Sequence, residues 1–215
     1  MPREEHVLVV DRKVVEQVGM FNGLAFDVDR YLRKLFVPGV PRFIPRSQAE
    51  ADPSCKQLIP YVIMSNDGRY LTYVRGSRAG ETRLLGLRSI GIGGHINPVD
   101  NEVPLFDTNF REMYDTAVKR EVAEEVSVQA GYTDRVVALL NDDSNEVGSV
   151  HLGIVHYWIL DAPNVKKREQ MITQMTFMTP AELQQVRDTL ETWSQLCLSG
   201  LDEMAKRTRA ANFTP

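Results

Sequence analysis

Four apolar runs rich in β-branched and aromatic residues, LIPYVIMS, RYLTYVRG, RVVALLND and VHLGIVHYWIL, are separated by turn chemistry and by a long helical pattern. Their irregular alternation dictates a mixed α/β chain without a strict βαβ repeat. The first two runs flank Asn66, Asp67 and Gly68, the composition of a tight hairpin. RSIGIGGHI interleaves Gly and Ser with apolar residues and reads as a strand that another backbone or a ligand can approach closely. NPVDNEVPLFDTN reads as a loop, with Asp107, Thr108 or Asn109 capping a helix over about residues 109–126. MITQMTFMT reads as a weaker strand. The C-terminal pattern opens with Thr179 as N-cap, Pro180 at the first position and Glu182 at the third, then sets Leu183, Val186, Leu190, Trp193 and Leu196 on one face of a single helix.

At 215 residues, 43% hydrophobic and 25% charged, the chain is long enough for one good core with appendages. A net charge of −4 argues against a nonspecific nucleic-acid or anionic-membrane binder and favours a small-molecule partner. No stretch approaches the roughly 18 apolar residues of a bilayer span, and MPREEHVLVVDRK lacks the apolar region of a secretory signal. Cys55 and Cys197 stand far apart and outside any metal-binding spacing, so both are expected as buried free thiols. The expected location is the cytoplasm. Residues 1–57 read as an N-terminal extension or cap in which VPGVPRFIPRS is an extended connector, and residues 58–215 as the main domain with its C-terminal helix.

The segment KREVAEEVSV concentrates acid. On a helix, Glu121, Glu124 and Glu125 stand at i, i+3 and i+4 and share one face, with Arg120 as the adjacent cation. Like charges at that spacing cost an isolated helix a few tenths of a kcal/mol per pair, so the face either meets open water or holds something positive. Glu112 lies seven intervening residues before Arg120, and Gly91, Gly93 and Gly94 precede the helix.

Read together, these residues resemble the signature of the Nudix family, Gx5Ex7REUxEExGU with U a bulky aliphatic residue. Glu112, Arg120, Glu121, Val122, Glu124, Glu125, Val126 and Val128 occupy their places in it, and GIGGHI resembles the GG strand that leads into the family's loop-helix-loop. Two positions depart. Phe106 stands where the signature has its first glycine, so if Gly94 takes that part an insertion of about a dozen residues precedes Glu112; and Ser127 replaces the second glycine. The resemblance covers about residues 58–190 and implies a Nudix-like α/β/α sandwich with a mixed β-sheet.

The resemblance further implies a divalent ion, Mg²⁺ or Mn²⁺, on Glu121, Glu124 and Glu125 with Glu112 assisting, a hard cation suited to carboxylate oxygens and substrate phosphates. Arg120 would orient the glutamates, and Glu124 and Glu125 would act in catalysis. Glu125, Glu146 and Glu169 are candidate bases, with Glu125 first. Arg75, Arg78, Arg83 and Arg88 fall within 14 residues before the GG strand. Arg75, Arg83 and Arg88 are candidate phosphate ligands beside Gly93, Gly94 and His95, while Arg78 reads as a solvated turn residue. His151 and His156, five apart on one strand, point to opposite faces and form no metal pair. The activity implied is hydrolysis of a phosphoanhydride in a nucleoside diphosphate linked to another moiety. The alternatives are a nucleotide-metabolite sensor without turnover and an isomerase of isopentenyl diphosphate. Phe36, Phe43, Ile44 and Trp193 offer apolar surface for a homodimer or an intramolecular cap.

Overall fold

The computed structural model describes residues 4–76, 86–100, 110–168 and 172–210. In chain order the elements are β1 (His6–Asp11), α1 (Arg12–Gly19), β2 (Gly23–Ala25), α2 (Val28–Leu35), β3 (Arg42–Pro45), α3 (Arg46–Ala51), β4 (Cys55–Asn66), β5 (Arg69–Arg75), β6 (Arg88–Ser89), β7 (Gly91–Gly93), α4 (Phe110–Glu125), β8 (Val126–Val128), β9 (Tyr132–Asn141), α5 (Glu146–Ser149), β10 (His151–Leu160), β11 (Val165–Lys167), β12 (Ile172–Met178), α6 (Pro180–Gln185) and α7 (Thr192–Ala210). The fold is mixed α/β. Two compact units emerge, one from Met1–Pro60, Gly93–Glu121 and Ala138–Ile154, the other from Tyr61–Ile92, Val122–Val137 and Val155–Pro215.

In the first unit the N-terminal apolar run VLVV, buried throughout, forms the middle of β1, which is antiparallel to β3 from His6↔Pro45 to Val9↔Arg42 and to β4 from Val9↔Gln57 to Asp11↔Cys55. The proline-broken stretch expected as an extended connector therefore forms β3 and the first residues of α3. Its prolines fit because β3 is paired only through β1 among the described residues, and Pro45 merely ends it. Val7, Val9, Ala49 and Cys55 pack together, with Ile44 against them, and Phe36 meets Tyr114 edge-on at 5.4 Å. On the far side Gly23–Ala25 pairs antiparallel with Leu139–Asn141 of β9.

Lys56 is fully buried in this unit, and its ammonium is accounted for by three oxygens: Asp143 Oδ1 at 2.7 Å and the carbonyls of Gly148 at 3.0 Å and His151 at 3.3 Å. Arg12 Nη2 donates to Asp143 Oδ2 at 2.5 Å, and Asn141 Nδ2 donates to the same oxygen at 3.2 Å. Burial pushes the Asp143 carboxyl up, but these hydrogen bonds and the Lys56 charge outweigh it and hold the group down at about 2. A value below the ordinary 3.8 means that the folded state binds the proton less well than the unfolded chain. The contribution is therefore complete above about pH 4 and disappears as pH falls toward 2. Asp143→Asn is expected to remove about 2 kcal/mol at pH 7 and to flatten the acid limb of stability between about pH 4 and 2. Denaturant unfolding followed across that range checks it; an acid limb identical to that of the parent protein refutes the pairing.

In the second unit the hairpin signal is realised. Ser65 pairs with Tyr70 and Asn66 with Arg69, while Asp67 (φ 46°) and Gly68 (φ 71°) both turn left-handed, as a two-residue primed turn requires. β12 adds antiparallel to β5 from Ile172↔Arg75 to Met178↔Tyr70, with an irregularity between Thr173 and Thr176 where Gln174 has φ 48°. The Gln57 N–H donates to the Val150 carbonyl in one unit and Asn66 Nδ2 to the Leu160 carbonyl in the other, so β4 and β10 ascend in the same direction and the sheet is mixed.

The single C-terminal helix expected from periodicity is not formed. The capping box of Thr179 and Glu182 starts α6 as read, but the helix stops at Gln185, a 3₁₀ turn spans Arg187–Thr189, and α7 begins only at Thr192. The break has a tertiary cause: Leu190 bridges to Arg88 in parallel, and the Glu191 N–H donates to the Arg88 carbonyl at 2.9 Å. Among the described residues no helix is long and apolar enough to cross a membrane.

Candidate functional site

Helix α4 buries Met113, Tyr114, Ala117, Val118 and Val122 and leaves the acidic positions outward: Glu112 and Glu124 are exposed, Glu121 and Glu125 half-buried. That is the ordinary 3.6-residue partition of an amphipathic helix. Its acidic stripe is the one read from the sequence, and it sits in the last two turns.

Around Arg120 and Glu121 the first unit builds a clamp. Arg120 Nε donates to Asp100 Oδ1 at 2.6 Å and Nη2 to Asp100 Oδ2 at 2.9 Å. Nη2 also reaches the His95 carbonyl at 2.9 Å, and Nη1 donates to Glu121 Oε1 at 2.8 Å. Asp100 is buried, at 1% exposure, and its Oδ2 takes the Asn97 N–H at 2.7 Å as well. One guanidinium thus neutralises a buried carboxylate, ties down the strand end after Gly94 and aims Glu121. The Glu121 carboxylate lies directly over the bare Cα of Gly94, where a Cβ would overlap it. Asp100 escaped notice in the sequence because nothing local marks an aspartate 20 residues from its arginine.

His95 follows the two glycines. Burial first, then the charges of Arg46 and His151, push its imidazole down to about 4, so the ring is neutral at pH 7. Its Nε2 is sealed from water and has no partner among the described residues. His151 stands 5.7 Å from it, ring to ring, and bonds the Val147 carbonyl through Nδ1 at 2.6 Å. His156, in the other unit, is buried against Asp134 at 2.8 Å.

In the second unit the end of α4 is closed without a left-handed residue. Ser127 lies extended in β8, paired with Lys166 of β11, and has no positive φ. The Arg168 N–H donates to the Glu125 carbonyl at 2.9 Å and Arg168 Nη1 to the Ala123 carbonyl at 2.7 Å, satisfying acceptors of the last turn. Strand pairing does the work a glycine cap would have done, so serine is tolerated there.

The charge of Glu125 is felt by Tyr73 and Arg75. Burial, reinforced by Glu125, pushes the Tyr73 hydroxyl up, and that hydroxyl donates to the Gly91 carbonyl at 3.0 Å. Burial works against the charge on Arg75, but Tyr73, Glu191 and Glu125 more than offset it and keep the guanidinium ionised. Arg75 Nε donates to Glu191 Oε2 at 3.0 Å, and its Cζ stands 5.7 Å from the Tyr73 ring centre. Arg88 is half-buried with Nε sealed and without a partner among the described residues. Glu146, exposed, begins α5. Arg78, Arg83, Glu169 and the capping candidates Asp107, Thr108 and Asn109 lie outside the described residues, as does most of the insertion before Glu112. Glu191 and Tyr73 were missed by sequence reading; Glu191 looked like one more polar residue of a helix.

Among the described residues no three His, Cys, Asp or Glu side chains converge tightly enough to hold a metal ion by themselves. The carboxylates of α4 nevertheless suit a hard divalent cation in donor type and in sharing one helix face, and Mg²⁺ commonly takes only one or two protein carboxylates before substrate phosphates and water complete its shell. The glycine backbone beneath Glu121 leaves that carboxylate a place close to the main chain.

Known proteins fit this geometry. No family model matches the chain. The Bacillus subtilis (strain 168) protein YmaB is 32% identical over 166 residues, 75% of this chain and 78% of that protein. The crystal structure of Tm1382, named as a candidate Nudix hydrolase, superposes with a TM-score of 0.74 at 29% identity, covering 92% of this chain and 98% of that one. The Nudix domain of Shewanella oneidensis NrtR, solved with ADP-ribose, shares the fold at a TM-score of 0.51 and 15% identity over 77% of this chain and 99% of that one. With the acidic helix, the GG strand and the mixed sheet all in place, the chain belongs to the Nudix hydrolases, pyrophosphohydrolases that act on acid anhydrides.

Proposed function

We propose that the protein hydrolyses a phosphoanhydride bond of a nucleoside diphosphate linked to another moiety, with Mg²⁺ or Mn²⁺ held by Glu121, Glu124 and Glu125 and assisted by Glu112. The observation that carries this reading is the glutamate face of α4, with Glu121 aimed by Arg120 over the bare backbone of Gly94. When bound, such an ion neutralises the diphosphate, lowers the pKa of a water and stabilises the leaving oxygen. The protein's own groups do the rest. Glu125 takes the proton of the attacking water as its oxygen bonds to phosphorus and the bridging P–O bond breaks, giving two phosphate-bearing products. Arg75 and Arg88, with Arg83, meet the substrate's phosphates, for which a guanidinium fork is the better-matched cation.

The isomerase reading loses support from the cysteines. Cys55 and Cys197 are both free and buried, and burial pushes both thiols up, away from the reactive thiolate. Two buried free thiols also accord with a cytoplasmic protein. A sensor would bind without turnover. ADP-ribose, the ligand of the NrtR domain, heads a test panel with nucleotide sugars, dinucleoside polyphosphates and a prenyl diphosphate. Incubation with Mg²⁺ or Mn²⁺ and chromatography of the products is expected to show cleavage of at least one nucleotide compound, abolished by EDTA and restored by added metal. Binding without product would establish the sensor, and conversion of the prenyl diphosphate alone the isomerase.

A further inference from the structure

Glu191 is buried at 5% exposure immediately before α7, a costly place for a carboxylate unless every lone pair is used. Its Oε1 lies 2.6 Å from the Ser89 hydroxyl and 3.3 Å from the Tyr61 hydroxyl, and its Oε2 accepts from Arg75 Nε at 3.0 Å. Ser194, fully buried, stands 2.9 Å from Tyr61 Oη and takes the Ile90 N–H at 3.0 Å, which fixes the cage to the backbone. The main chain repeats the attachment, because the Glu191 N–H donates to the Arg88 carbonyl. It is this anchoring that interrupts the C-terminal helix.

A counter-ion pair formed only for stability would normally spend the arginine fork on both carboxylate oxygens. Here, among the described residues, Nε alone engages Glu191, and hydroxyls satisfy the other oxygen. The donors that remain on Arg75 for a phosphate are the two terminal nitrogens. The guanidinium also rests near the Tyr73 ring, itself pinned to Gly91, so it has little freedom to swing.

We propose that Glu191 is a positioning residue: by holding Arg75 through Nε, it presents the terminal guanidinium nitrogens to the diphosphate that lies beside Glu125. The inference rests on the hydrolase reading above and assigns to the C-terminal segment a part in substrate binding. Glu191 touches no substrate; it acts through Arg75.

The test uses the full chain with Mg²⁺ and inorganic pyrophosphate as the probe, titrated calorimetrically into the parent protein, Glu191→Gln, Arg75→Gln and the double variant. Glu191→Gln is expected to weaken pyrophosphate about 10-fold, as Arg75→Gln does, and to add nothing on the Arg75→Gln background. With the panel substrate that turns over, KM should rise about 10-fold and kcat stay within about 2-fold, the pattern of lost phosphate binding. The Arg75 Nε–H resonance, protected from exchange in the parent protein, should lose protection in Glu191→Gln whether or not a ligand is present. If Glu191→Gln is too unstable to titrate, Ser89→Ala, which removes the shortest bond to Oε1, is expected to weaken pyrophosphate less but in the same direction. Unchanged pyrophosphate affinity in these variants, or additive losses in the double variant, overturns the positioning role and leaves the hydrolase reading intact. A parent protein that neither binds pyrophosphate nor cleaves any panel compound overturns the hydrolase reading, and this inference with it.

Discussion

Exchanging Glu125 for glutamine is expected to lower kcat by about 100- to 10,000-fold, the range that a proton-transfer group supplies, and Glu124→Gln to follow in the same order. Stability should change by no more than about 1 kcal/mol, because two small effects oppose each other. Glu121 and Glu125 are like charges at i and i+4, and removing one relieves roughly 0.2–0.5 kcal/mol of repulsion within the helix. Against that gain, Glu125 is half-buried and its charge helps keep Arg75 ionised, while its backbone carbonyl keeps the Arg168 N–H whichever side chain stands there. Loss of turnover without loss of fold is the signature of a group placed for chemistry at the expense of its helix. The same repulsion predicts that millimolar Mg²⁺ raises the thermal midpoint of the parent protein and raises that of Glu125→Gln less. Steady-state kinetics and thermal unfolding in parallel check both statements. A kcat within about threefold of the parent's for both glutamine variants removes the acidic face of α4 from catalysis.

Arg120→Ala is expected to be the most destabilising single change near the site, by about 3–5 kcal/mol, which in a chain of this size lowers the melting temperature by roughly 6–20 °C. The reason is Asp100, which is almost wholly buried and draws two of its hydrogen bonds from this guanidinium. Removing the arginine strands a buried carboxylate, frees the His95 carbonyl and releases Glu121 from its aim in a single step. Arg120→Lys separates the two roles. A lysine restores the positive charge beside Asp100, so stability should recover in part, but a point charge cannot serve Asp100, Glu121 and the His95 carbonyl in fixed directions. Activity should therefore recover less than stability. Denaturant midpoints and kcat for the two variants measure this. A cost below about 1 kcal/mol for Arg120→Ala contradicts the clamp.

How much of this was legible beforehand depends on the separation of the interacting groups along the chain. The hairpin at Asn66–Arg69, the capping box of Thr179 and Glu182 and the acidic face of α4 are encoded within a few residues, and each forms where the local chemistry puts it. Periodicity over residues 183–196 was equally plain, yet it misled. An extended pairing of Leu190 and Glu191 with Arg88 overrides helix propensity, and no window of 14 residues contains its cause. The proline-broken stretch near residue 42 reads as a connector until β1 supplies it a partner, and Ser127 reads as a departure from the family signature until β11 closes the helix end in place of a glycine.

Side-chain spacing along the chain was enough to mark which helix carries the acid, which strand brings bare backbone to it, and the family to which that combination belongs. These are decided by side-chain spacing on elements whose periodicity is intrinsic to the chain. The partners that hold those groups became visible only with packing: Asp100 behind Arg120, Glu191 behind Arg75, Asp143 behind Lys56. Such pairs join residues 20, 116 and 87 positions apart. Their worth comes from burial, since a carboxylate withdrawn from water must be met by hydrogen-bonding or cationic groups, and which groups meet it is settled when strands and helices pack.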